Sequence, residues 1–194
     1  MKNLKTILMA VAMLAFNGYA AMAQSQVRLT SCDATSLLEK TIGKWQVNQS
    51  AWQSEKKDLA TWAGRATYNS SGKGNNVHEL CEIEMADGYT KTFDGYLRFV
   101  ENQNQFEYVV ADPATGKEEK LFVGEWFPEF NTLLLFSVRP KNTKLFKKYI
   151  PEQWRYVFFD NGTFSKMVHQ PDENGKLILT HKYNYTAPVL ADSK

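Results

Sequence analysis

Thr41-Ile42-Gly43-Lys44-Trp45-Gln46-Val47 is the stretch on which the fold of this 194-residue chain turns. Just before it, Ser36-Leu37-Leu38-Glu39 has the serine and glutamate spacing of a capping box, in which each side chain satisfies a backbone amide at a helix start. This predicts a short helix running to about Thr41. Gly43 supplies the permissive backbone on which a helix stops and a strand begins. From Trp45 the period changes. Trp45, Val47, Gln49 and Ala51 fall on one side and Gln46, Asn48 and Ser50 on the other, the two-residue alternation of a half-buried strand.

Toward the C-terminus the chain is strands and tight turns. A run from about Ala60 to Asn69 meets the turn cluster Ser70-Ser71-Gly72-Lys73-Gly74, and Asn75 to Met85 returns with Val77, Cys81, Ile83 and Met85 on one face. Asp87-Gly88 turns the chain into Phe93, Gly95, Leu97 and Phe99, which alternate with Asp94, Tyr96 and Arg98. Phe106 to Ala111 and Leu121 to Phe127 flank a turn bearing Pro113 and Gly116, and Leu133 to Phe136 is continuously apolar. The basic segment Lys141 to Pro151 reads as a lid-like loop or a helical turn or two, with a solvated loop as the plain alternative. Trp154 to Phe159 and Thr163 to Gln170 flank Asn161-Gly162, whose residues readily adopt the left-handed conformations of a two-residue hairpin turn. A second turn at Asp172 to Gly175 leads into a closing strand with Leu177, Leu179, His181, Tyr183 and Tyr185 on one face. About ten strands joined by short turns predict an all-β chain, an antiparallel up-and-down β-barrel with a short N-terminal helix.

Toward the N-terminus, Lys2 and Lys5 precede an apolar run from Ile7 to Phe16, and Ala21-Met22-Ala23 offers small residues at a cleavage site. Residues 1–23 are expected to be a signal peptide, directing the protein to the periplasm or the extracellular space. An apolar core of about ten residues is short of the roughly 20 that span a bilayer, so no transmembrane span is expected. Leu29-Thr30-Ser31-Cys32 has the look of a lipoprotein box, but polar residues separate it from the apolar run. Residues 24–35 are then a leader segment, 36–188 the barrel and 189–194 a polar tail.

Without the two lysines of the leader, basic and acidic residues balance at 21 each. That balance gives no field for phosphates, so no nucleic-acid partner is expected. The two cysteines, Cys32 and Cys81, could form a disulfide in an oxidising compartment, or stay as a leader thiol and a buried core residue. No spacing of the zinc type is present, so no metal site is expected.

A short helix followed by Gly43-Lys44-Trp45 at the start of an all-β chain resembles the Gly-x-Trp opening of the calycins, the lipocalins and fatty-acid-binding proteins. Leu38 to Tyr185 also resembles the DUF1579 lipocalin-like family, with Arg155-Tyr156-Val157-Phe158-Phe159-Asp160 standing before Asn161-Gly162. The resemblance implies a calycin-like barrel in which Trp45 packs at the closed end and Gly43 and Trp45 are structural.

In such a barrel, alternation makes Val47, Ile83, Phe93, Leu97, Phe99, Tyr108, Leu179, His181 and Tyr183 the candidates to line the lumen and touch a ligand, unless they simply fill it. Glu79 shares the Cys81 face and joins them as a polar anchor or acid. His169 and His181 fall on opposite sides of their hairpin if its turn is centred between Glu173 and Asn174. His181 is a hydrogen-bonding group for a ligand or a ligand of haem, or else a satisfied core histidine. No catalytic signature is visible, so no catalytic residue is named. The expected function is non-catalytic binding of a small, largely apolar ligand. No cofactor is called for, although haem or another pigment stays open as the bound molecule, as does the oligomeric state. The alternatives are an enzyme that uses the barrel as a chamber, with His181 and Glu79 as acid and base, and a filled barrel that acts as a protein or glycan interaction module through Trp52, Trp62 or Trp126.

Overall fold

The computed structural model describes residues 28–53, 58–72, 75–138 and 150–188. The predicted signal peptide, the tail 189–194 and residues 141–149 of the predicted lid lie outside the described residues.

Helix α1 (Ser31–Glu39) starts upstream of the predicted Ser36. The capping box is Thr30 and Asp33: the Thr30 hydroxyl accepts from Asp33 N at 3.2 Å and the Asp33 carboxylate accepts from Thr30 N at 3.1 Å. This earlier start wins because it puts Ala34 and Leu38, four residues apart, on one buried face. The helix therefore takes in residues 31–35 of the expected leader.

Ten strands follow among the described residues: β1 (Gly43–Gln53), β2 (Asp58–Ser70), β3 (Asn76–Glu84), β4 (Thr90–Val100), β5 (Gln105–Ala111), β6 (Glu118–Phe127), β7 (Thr132–Ser137), β8 (Gln153–Phe158), β9 (Phe164–Pro171) and β10 (Leu177–Thr186). Each pairs antiparallel with the next, and β10 pairs with β1 from Gln46↔Thr186 to Ala51↔His181, closing the barrel. Closure satisfies both edges of the sheet, so among the described residues no strand is left as a pairing template.

The α1 end of the barrel is shut. Gly43 takes φ 143°, a conformation closed to side-chain-bearing residues, and turns the chain from helix into β1. The Trp45 indole Nε1 donates to Thr41 O at 2.8 Å, tying the first strand to the end of the helix. Its ring meets Phe164 edge-on at 5.1 Å, and Phe164 stacks on Tyr185 at 4.2 Å. Leu29 N donates to Asn104 Oδ1 at 2.9 Å and Ser31 Oγ to Glu101 Oε2 at 2.7 Å, pinning α1 to the β4–β5 turn. Trp45 thus sits at the α1 end of the barrel.

Two expectations are corrected. Cys32 and Cys81 are both free, because Cys32 lies exposed on α1 while Cys81 points into the barrel, fully buried. Leu179 is not a lumen residue: a register shift between Leu179 and His181 pairs Leu179 with His169 and His181 with Val168. The irregularity breaks the alternation on which the single face from Leu177 to Tyr185 rested, and it leaves Leu179 46% exposed.

Candidate functional site

Register places most of the predicted lumen residues together. Val47, Glu79, Ile83, Leu97, Phe99, Tyr108 and Tyr183 are buried, and Phe93 and His181 are half-buried nearer the end opposite α1. The interior is organised by a residue that the sequence reading passed over. Lys166 on β9 is fully buried, and its Nζ donates to Glu79 Oε1 on β3 at 2.9 Å. β2, β1 and β10 lie between those strands, so the ion pair crosses the lumen.

The surroundings suit a buried charge. Tyr68 donates to Glu79 Oε1 at 2.6 Å. The Lys166 ammonium lies 4.3 Å from the Trp154 ring centroid and 4.4 Å from that of Phe93, with Tyr156, Tyr183 and Tyr108 at 5.6 to 5.9 Å. Aromatic faces attract a desolvated ammonium by about 2 kcal/mol or more. Burial, and beyond it the Glu79 charge, pushes the Tyr68, Tyr108 and Tyr156 hydroxyls well above the usual phenol range. They remain neutral donors throughout the physiological range. Gly95 makes room for the cage, since a Cβ there would lie 2.7 Å from the Tyr108 ring.

A second cross-lumen contact lies toward the open end. Lys91 on β4 donates from Nζ to the Tyr183 hydroxyl on β10 at 3.3 Å and lies 5.0 Å from the centroid of Phe93. Burial, and next the charge of Lys166, lowers the Lys91 ammonium pKa below the usual lysine range. The His181 ring lies nearly parallel to Tyr183, 6.4 Å between centroids, and its pKa is depressed by burial and then by Lys91. Trp62, the β1–β2 partner of Gln49, and Phe93 are partly buried and pack against the core. Inward side chains are therefore sealed in the middle of the barrel and half-covered toward the end opposite α1, where Phe93 lies between the Lys91 ammonium on the rim side and Lys166 below.

The remaining candidates fall apart. No hydrogen bond or ion pair joins His181 to Glu79 among the described residues: the histidine Nδ1 is 3.1 Å from Thr180 Oγ1, and Glu79 is engaged by Lys166 and Tyr68. His169 and His181 face opposite sides of the sheet, as expected, although the register differs from the predicted one, with His169 opposite Leu179 rather than Ile178. Among the described residues no three His, Cys, Asp or Glu side chains cluster as a metal site would need. Of the three tryptophans proposed as contact residues, Trp52 is 59% exposed, whereas Trp62 and Trp126 pack against the core. No described helix is long and apolar enough to cross a membrane. One signal in the sequence marks both missed lysines: Lys91 shares the alternation of Phe93 and Gly95, and Lys166 that of Phe164 and Val168. A lysine at core parity is almost never buried without a partner.

No protein-family model matches the chain, and no curated protein matches it. Among solved structures it is similar to the crystal structure of Rv2717c from M. tuberculosis, with a TM-score of 0.54 and 17% sequence identity over 80% of this chain and 98% of that one. At that identity the likeness is one of fold: a barrel.

Proposed function

We propose that this is an exported, calycin-like barrel of the DUF1579 kind that binds a small, largely apolar molecule at its open end without covalent chemistry. The observation that supports it is the gradient along the lumen. Inward side chains around the Glu79–Lys166 pair, Tyr68, Tyr108 and Tyr156 among them, are fully buried, while Trp62, Phe93, Lys91 and His181 toward the end opposite α1 are only partly covered. A ligand laid on Trp62 and Phe93 removes apolar surface from water at roughly 25 cal/mol per Å², before the entropic cost of binding.

Native mass spectrometry of protein purified from its own host tests this, together with a titration by the neutral apolar dye Nile red. The expected results are a retained lipid, pigment or haem, and saturable dye binding that a Phe93→Asp variant loses. Protein that emerges empty and leaves the dye unbound sinks the proposal. A second reading, an interaction module, draws on Trp52 and its β2 partner Leu59, 59% and 55% exposed. It predicts that Trp52→Ser abolishes partner capture and leaves Nile red binding intact.

A further inference from the structure

We infer that the sealed interior holds a site for an ordered water, which bridges the second oxygen of Glu79 to the tyrosine hydroxyls around it; this stands apart from the carrier reading. Both donors bonded to Glu79, the Lys166 ammonium at 2.9 Å and the Tyr68 hydroxyl at 2.6 Å, share one carboxylate oxygen, Oε1. Oε2 has no hydrogen-bond partner among the described residues, although Glu79 is fully buried. The hydroxyls of the equally buried Tyr156 and Tyr185 are likewise unpartnered among the described residues. Register gathers these groups into one cluster. Tyr68 is the cross-strand partner of Glu79, and Tyr156 that of Lys166, whose ammonium lies 5.6 Å from the Tyr156 ring centroid. Tyr185 meets Tyr68 edge-on at 5.9 Å. The Tyr156 hydroxyl is pushed well above the usual phenol range by burial and then by Glu79, and that of Tyr185 by burial, Cys81 and then Glu79, so both feel the same carboxylate.

The chemistry of the cluster selects the occupant. Leaving a buried carboxylate oxygen and two buried hydroxyls unbonded is costly, and native interiors pair nearly all such groups with protein or with water. The occupant has to donate to Oε2, which can only accept, and to accept from a neutral phenol, which has a proton to give. Lys166 already neutralises Glu79, so a further cation is not called for, and the carboxylate repels an anion. A molecule that donates and accepts, carries no charge and fits among fully buried aromatic side chains is water. Buried water makes roughly two to four hydrogen bonds to polar groups of this kind. Tyr108 supplies one more hydroxyl at the site, its pKa raised by burial and then by Glu79.

A crystal structure at a resolution that orders internal water tests the site, together with thermal unfolding of wild type, Tyr156→Phe and Tyr185→Phe. The expected density is a peak within about 3 Å of Glu79 Oε2 and of at least one of the two hydroxyls. The variants put the same question in solution, because phenylalanine keeps the ring and removes only the oxygen. A hydroxyl that holds the water loses about one net hydrogen bond, a fall in Tm of roughly 2–4 °C for a chain of this size. An orphaned hydroxyl gives the opposite sign: its removal relieves an unsatisfied buried group, and Tm stays level or rises. At least one variant should therefore fall. A site without a peak overturns the inference, as does a tyrosine hydroxyl bonded directly to Oε2 in place of one. A level or higher Tm in both variants overturns it equally.

Discussion

Replacing Lys166 by methionine removes one charge from a pair whose two members are both fully buried. Methionine keeps most of the volume and the contact with Trp154 and Phe93, so the loss is electrostatic rather than a cavity. The Glu79 carboxylate keeps the Tyr68 hydroxyl at 2.6 Å but loses the ammonium at 2.9 Å, and with it the only cation bonded to it among the described residues. Breaking a buried pair in this way costs about 3–5 kcal/mol, a large part of a total stability of about 5–15 kcal/mol. For a chain of this size that corresponds to a fall in Tm of roughly 6–20 °C. The assay is urea unfolding followed by tryptophan fluorescence, run as a double-mutant cycle with Glu79→Gln. Lys166→Met alone should be strongly destabilised, and the double variant should recover about 2 kcal/mol or more relative to the sum of the single losses. Single changes that add to within about 0.5 kcal/mol would show that the two residues do not hold one another, and would refute the ion pair as the organiser of the interior.

Two further outcomes follow from the same packing. Burial, reinforced by the Glu79 charge, pushes the Cys81 thiol up to about 12, whereas Cys32 is exposed. Ellman's reagent should therefore find one fast thiol in the native protein and a second only in denaturant, and two fast native thiols contradict the sealed lumen. His181, depressed by burial and Lys91, and His169, depressed by burial and Arg155, resist protonation in the folded state. Between those lowered values and the ordinary histidine pKa of about 6.5 the unfolded chain binds more protons, so stability is complete above that value and falls as the pH drops from about 7 to about 5. The urea midpoint should follow that course in wild type and flatten in His169→Gln/His181→Gln; an unchanged slope sets the histidines aside.

The barrel was legible because its code is local. Period-two alternation and turn residues at Asp87-Gly88 and Asn161-Gly162 mark hairpins one at a time, and ten hairpin-linked strands leave closure as the way to satisfy both edges. The floor was legible for the same reason, since Gly43 and Trp45 act through the adjoining Thr41. The lumen was legible only as a face. Alternation put Glu79 inside without showing its partner, because Lys166 meets it across 87 residues of sequence. The irregularity at Thr180 carries no residue signature, so Leu179 was assigned to the wrong side and the hairpin register was misplaced. The helix start went astray because Thr30/Asp33 and Ser36/Glu39 carry the same capping chemistry, and only the burial of Ala34 and Leu38 separates them.

The seam between β1 and β10 gives the cross-lumen pair a further consequence. Glu79 belongs to the first half of the barrel and Lys166 to the second, and neither half has a closed interior until the first and last strands meet. Any partly assembled chain therefore exposes a carboxylate and an ammonium to water, where they are comfortable, and has nothing that draws them inward. A one-residue slip of β3 or β9 sends its charge to the outer surface and strands the other. The pair thus works as a proofreading lock: it contributes nothing to incomplete or misregistered barrels and engages when the last hydrogen bonds of the ring are made. Cooperativity in this barrel is carried by electrostatics as well as by its aromatic core.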